Sequence, residues 1–126
     1  MRNKLVVVAG AVGLFMVADP MFAHHSESMY DKDHPVTLTG TVTAFRFINP
    51  HVKIHFEVKD ENGSIVKWVA GTSAPQRLYR NGWHKETLKP GDHITITGHP
   101  AKDGRKIMNV QRLVGPDGQV LRDVTD

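Results

Sequence analysis

The chain contains no cysteine. Disulfides, thiolate metal sites, haem attachment through thioether bonds and cysteine lipid anchors are therefore excluded. Small exported domains are often stapled by disulfides; this chain must rely on its core, aided or not by a ligand or partner. It also lacks any cluster of Lys and Arg and any alternation of aromatic with basic residues. Nucleic acid is thus not an expected partner. No apolar run is long enough for a membrane anchor. The longest, Leu5 to Ala18, is fourteen residues. As a helix it rises about 21 Å, against a hydrocarbon core of about 30 Å.

That run does have another use. Arg2 and Lys4 precede it, and Asp19, Pro20, Met21, Phe22 and Ala23 follow before a polar stretch. This is the layout of a secretory signal peptide, with cleavage expected after Ala23. The sequence reading divides the chain into a leader (1–23), a polar arm (24–35), one domain (36–121) and a short tail (122–126). It places the protein in the periplasm, free of the membrane after cleavage. Loss of Arg2, Lys4 and Asp19 lowers the formal net charge from +3 to +2. The remaining length suits one domain with a modest core.

Within the domain, apolar and polar residues alternate, which is the signature of half-buried strands. Thr37, Thr39 and Thr41 oppose Leu38, Gly40 and Val42. The alternation slips near Ala44 to Phe47, so a bulge is expected there. Gly40 is expected to allow close backbone approach or tight coiling. Asn49-Pro50 marks a corner. Val52, Ile54, Phe56 and Val58 then share one face, with His51, Lys53, His55, Glu57 and Lys59 on the other. Asp60 to Gly63 forms a turn, and Ile65 to Ala70 returns antiparallel. Ser73 with Gln76 reads as a capping box for a two-turn helix with Leu78 and Tyr79 on its apolar side, stopped at Asn81-Gly82. His93 to Thr97 and Ile107 to Val114 are the last two strands. Gly115 to Gly118 opens the tail.

Three strands, a short helix and two strands are the element order of the OB-fold. We therefore expect an all-β domain with one short helix, built as a small five-stranded OB-like barrel. A two-sheet sandwich and an SH3-like barrel are the alternatives.

The eight histidines are the chemically notable residues. Cleavage after Ala23 would make His24 the N-terminus. Its amine and imidazole would then chelate one ion, with His25 adding a second ring. Nitrogen donors favour copper(II) on affinity. His51, at the Asn-Pro corner, is the third expected donor, with His34 and His99 as other completions. His51 and His55 lie four residues apart, about 13 Å along a strand, too far to share an ion. The serines fall in the arm, a turn and the helix cap, so no nucleophile set stands out. The chain is expected not to be an enzyme. Trp68 reads as a core residue, and Trp83 as rim packing beside Leu88. A metal-free accessory module that docks another periplasmic protein is the second reading.

Ala23-His24-His25-Ser26, Thr39-Gly40-Thr41-Val42, Asn49-Pro50-His51, Gly82-Trp83, Leu88-Lys89-Pro90-Gly91-Asp92 and Thr97-Gly98 occur in that order. Together they resemble a family of small exported bacterial proteins of unknown function. The resemblance spans Ala23 to Leu121. It implies an exported, OB-like periplasmic protein of a Gram-negative bacterium and supplies no ligand. Members usually carry tryptophan before the corner, where this chain has Phe47-Ile48. They also carry glutamate soon after the tryptophan of strand three, where Trp68 is followed by Val69, Ala70 and Gly71.

Overall fold

The computed structural model describes residues 28–124. The leader, His24 and His25 lie outside the described residues. Six strands and one helix follow in the order β1 (Val36–Arg46), β2 (Lys53–Lys59), β3 (Ile65–Gly71), α1 (Pro75–Arg80), β4 (His93–Pro100), β5 (Ile107–Val114) and β6 (Val120–Asp123).

The alternating residues meet as the OB reading requires. β1 pairs with β4 through its first half and with β2 through its second half. β2 pairs with β3, and β4 with β5, all antiparallel. A short parallel pairing of Val69–Gly71 with Ile107–Asn109 closes the ring. The result is a five-stranded OB-like barrel. Neither the sandwich nor the SH3-like alternative has this closure.

Inward residues of every barrel strand build one core. Val42, Ile54, Phe56, Ala70, Ile94, Ile96, Met108, Val110 and Leu113 are buried together. Two glycines allow the tight coiling. A Cβ on Gly40 would lie 2.5 Å from the carbonyl oxygen of Glu57, and one on Gly98 would lie 2.5 Å from that of Asn109. The register of β1 slips between Val42 and Ala44, leaving Thr43 as the extra residue. The bulge thus falls just before the expected segment.

The helix corrects one expectation. Ala74 is the N-cap and makes no side-chain cap bond, so the Ser73–Gln76 box does not form. The neighbouring backbone is used differently: Thr72 N–H donates to the Val52 carbonyl at 3.0 Å, and Val52 N–H to that of Ser73 at 3.1 Å. These bonds tie the helix entrance to the start of β2. Leu78 is buried in the barrel end, but Tyr79 is 69% exposed and takes no part in the apolar side. The expected stop is present: Gly82 takes φ 87°, and its N–H donates to Tyr79. A six-residue helix is too short to be stable by itself. Leu78, Trp83 and Leu88 anchor this region in the core.

The tail also differs. Val120–Asp123 forms β6, which pairs with the end of β5. It occupies the edge of β5 that β3 leaves open beyond Asn109. Among the described residues, no helix is long and apolar enough to cross a membrane.

Candidate functional site

Because the inward face of β1 and β4 is apolar, their polar residues stand in register outside. Three cross-strand pairs form a ladder. Thr37 and Thr97 hydroxyls lie 2.8 Å apart, and Thr39 and Thr95 hydroxyls 3.4 Å apart. Thr41 Oγ1 lies 3.2 Å from His93 Nδ1. The last rung continues sideways. Thr41 pairs with Glu57 on β2, and Glu57 with Lys67 on β3. Acid, hydroxyl and imidazole thus come from three strands into one row.

A groove of about 360 Å³ opens here, between Thr39, Thr41 and His93 on one side and Glu57, Lys59 and Ile65 on the other. It follows from the path of β1. The strand leaves β2 near Gly40 to pair with β4, and the β2–β3 hairpin projects past it. The groove offers a carboxylate, an ammonium, hydroxyls and an imidazole to a polar ligand, with Ile65 as its exposed apolar edge. The sequence reading put Glu57 on one face of its strand with His55 and did not join it to His93. The signal was present in the Thr37-Thr39-Thr41 and His93-Thr95-Thr97 alternations. Only the strand pairing shows that they adjoin.

The described histidines are dispersed, and no group of three or more metal-ligating side chains occurs among the described residues. His51 is exposed between β1 and β2. His55 is partly covered on β2. Its burial pulls its pKa down, and the charges of Arg46 and Lys53 pull it further. A neutral ring at neutral pH follows. His84 caps a turn through Nδ1, which accepts the Glu86 N–H at 3.2 Å. His34 Nδ1 lies 3.0 Å from an Asp31 carboxylate oxygen.

The polar arm is joined to the barrel. Tyr30 bridges Ala101, Asp31 N–H donates to the Pro100 carbonyl at 2.8 Å, and Lys102 N–H donates to that of Met29 at 2.8 Å. This docking lies at the end of β4 that carries His99. It also lies beside the first residues of β1, since Val36 pairs with Gly98. His51 follows the other end of β1. Ten residue steps separate Val36 from Arg46, about 33 Å of strand path. The four residue steps from His25 to Met29 span at most about 14 Å. His34 and His99 thus adjoin the docked end of the arm, and His51 follows the far end of β1.

Neither tryptophan is a free stacking surface. Trp68 stacks on Phe56 with centroids 6.5 Å apart, and Lys106 Nζ sits 5.4 Å from its ring centre. Trp83 is buried with Leu88 and meets Phe45 at 6.1 Å.

Residues 8–109 match the model of a family of unknown function (DUF6152). No curated protein matches the chain. Among solved structures, the chain is similar to the ZRD-deleted mutant of TiaS in complex with agmatine, at 19% identity and a TM-score of 0.43. That match covers 73% of this chain and 22% of the other, so this chain spans under a quarter of that protein's length.

Proposed function

The chain belongs to the family of unknown function DUF6152, and from that premise we propose that it is an exported periplasmic binding or accessory module that holds copper(II) through its histidine arm. The observation that carries this reading is the docking of Met29–Asp31 onto Pro100–Lys102. It gives the segment beginning at His24 a fixed point of attachment on the barrel. Within reach of that point are His99 and His34, which take the place that the sequence reading assigned to His51.

In this proposal His24 binds through its amine and imidazole, and His25 adds a second ring. His99 or His34 adds a further nitrogen. Neutral imidazole is the ligating form, so binding weakens as the pH falls through the histidine range. The module carries out no chemistry on the ion; it holds it.

The test is a copper(II) titration of the chain beginning at His24, followed by the visible d–d band. We expect one tight equivalent, weakened at least tenfold by acetylating the N-terminus. His99→Ala or His34→Ala weakens it, whereas His51→Ala leaves it unchanged. Micromolar or weaker affinity that survives acetylation overturns the proposal. So does an N-terminus other than His24 on the protein recovered from the periplasm.

A second reading rests on the groove beside Ile65, which is 51% exposed. There a partner protein would dock without metal. Co-purification of one partner in the presence of chelator, lost on Ile65→Asp, favours it over the copper reading.

A further inference from the structure

The paired strands β5 and β6 each carry an arginine, and the two have opposite fates. Arg112 of β5 stands across from Asp123, and its Nε lies 3.4 Å from that carboxylate. Arg122 stands across from Leu113, which is fully buried. Cross-strand partners share a face, so Arg122 points to the core side of the sheet, beneath the end of the barrel that α1 closes. Its Nε is buried and has no hydrogen-bond partner.

The helix brings a second guanidinium to the same seam. Arg77 immediately precedes Leu78, the buried residue of α1. Trp83, just past the helix, bonds to the carbonyl of Leu121, the neighbour of Arg122. Burial first, and then the charge of Arg77, press the Arg122 pKa down. Arg80 is the second positive charge in the last turn of α1, beside Arg77, and the first turn has no acid. Among the described residues, Asp103 and Asp123 pair with Arg105 and Arg112 instead.

A buried guanidinium N–H without an acceptor, under the charge of a second guanidinium on the neighbouring helix, is an unfavourable arrangement in isolation. A negative oxygen acceptor between them removes both costs together. Guanidinium groups suit carboxylate and phosphate in particular, because their planar donors match two oxygens. We propose that the seam between α1 and β6 is an oxyanion-binding site, with Arg122 and Arg77 as its donors and a small carboxylate or phosphate as its ligand. The site lies outside the groove, uses no histidine and is independent of copper.

The experiment is thermal unfolding of the chain in inorganic phosphate, acetate or chloride at matched ionic strength. The Arg122 Nε–H is followed by NMR in the same titrations. We expect phosphate or acetate to raise Tm where chloride does not, and to shift the Arg122 resonance with saturation. A preference between the two names the ligand class. Arg77→Gln, on the exposed side of the helix, should weaken the apparent affinity about tenfold, the loss of one charge-assisted contact. Arg122→Gln should abolish saturation. If Arg122→Gln does not fold, Arg77→Gln and the wild-type resonance still decide. Equal shifts in all three salts, or a response unchanged in Arg77→Gln, overturn the proposal.

Discussion

The indole Nε1 of Trp83 donates to the backbone carbonyl of Leu121 at 2.9 Å, joining the residue after the helix to the sixth strand across 38 positions of sequence. The bond couples the two elements that lie beyond the five barrel strands. α1 is too short to hold itself, and β6 has only four residues. Trp83→Phe keeps most of the ring packing and removes the donor. We expect a loss of about 1–2 kcal/mol, the cost of one buried bond left unmade. Hydrogen exchange at Arg122 and Asp123 amides should accelerate more than exchange in β2. Uniform acceleration would show that Trp83 supports the barrel and not β6 specifically.

Gly40 and Gly71 should behave oppositely when given a methyl group. At Gly40 the added Cβ meets backbone, the Glu57 carbonyl, which cannot rotate away. Gly40→Ala must part β1 from β2, with an expected loss of about 1–3 kcal/mol. At Gly71 the nearest heavy atom lies 4.0 Å away. Gly71→Ala therefore restricts the unfolded chain without a clash, and is expected to gain about 0.4–1 kcal/mol. Urea midpoints of the two variants check the pair. A tolerated alanine at position 40 would contradict the close crossing of β1 over β2.

His55 supplies a pH dependence of known direction. In the unfolded chain its ring gains a proton near pH 6.5. In the folded chain, burial and the charges of Arg46 and Lys53 delay protonation to lower pH. Between these two values the unfolded state holds more protons, so stability declines as pH falls below about 6.5 and levels off beneath the folded value. The contribution is fully present above pH 6.5. Urea unfolding from pH 7.5 to 5 should show a shallower decline for His55→Gln than for wild type. Identical slopes would mean that the ring titrates alike in both states.

The barrel was legible because its strands are buried on one face only. Val52, Ile54, Phe56 and Val58 announce β2, and Val66, Trp68 and Ala70 fall opposite them in the register observed. What alternation does not encode is which strands become neighbours. The Glu57–Thr41–His93 row depends on β1 serving both β2 and β4, and nothing local to any of the three residues reveals it. β6 escaped for a different reason. Gln119, Val120, Leu121 and Arg122 are too few to establish a period, and the strand exists because Gly115 N–H, Val124 N–H and the Trp83 indole bond across to neighbouring segments. The failed capping box is similar: the Ser73 carbonyl is committed to Val52, and that contact is remote in sequence. Of the three copper donors expected from the sequence, only His51 falls within the described residues, beyond the end of β1 opposite the docked arm.

The docked arm allows its attachment to be tested apart from its side chains. Asp31 does two things: its N–H bonds to Pro100, and its carboxylate holds the His34 ring and accepts the Asp33 N–H. Asp31→Ala removes only the second. Asp31→Pro removes both, and Tyr30, already paired as a β-bridge, has the extended backbone that a following proline demands. The barrel core is untouched in either variant, so the unfolding midpoint should shift by less than about 1 kcal/mol beyond the loss of one hydrogen bond. If the arm must be seated to bring His24 and His25 beside His99, copper(II) affinity falls further in Asp31→Pro than in Asp31→Ala. Hydrogen exchange at the Lys102 amide, which bonds to Met29, should rise in the proline variant alone. Equal copper affinities alongside a freed Lys102 amide would mean that the histidines bind the ion without the barrel.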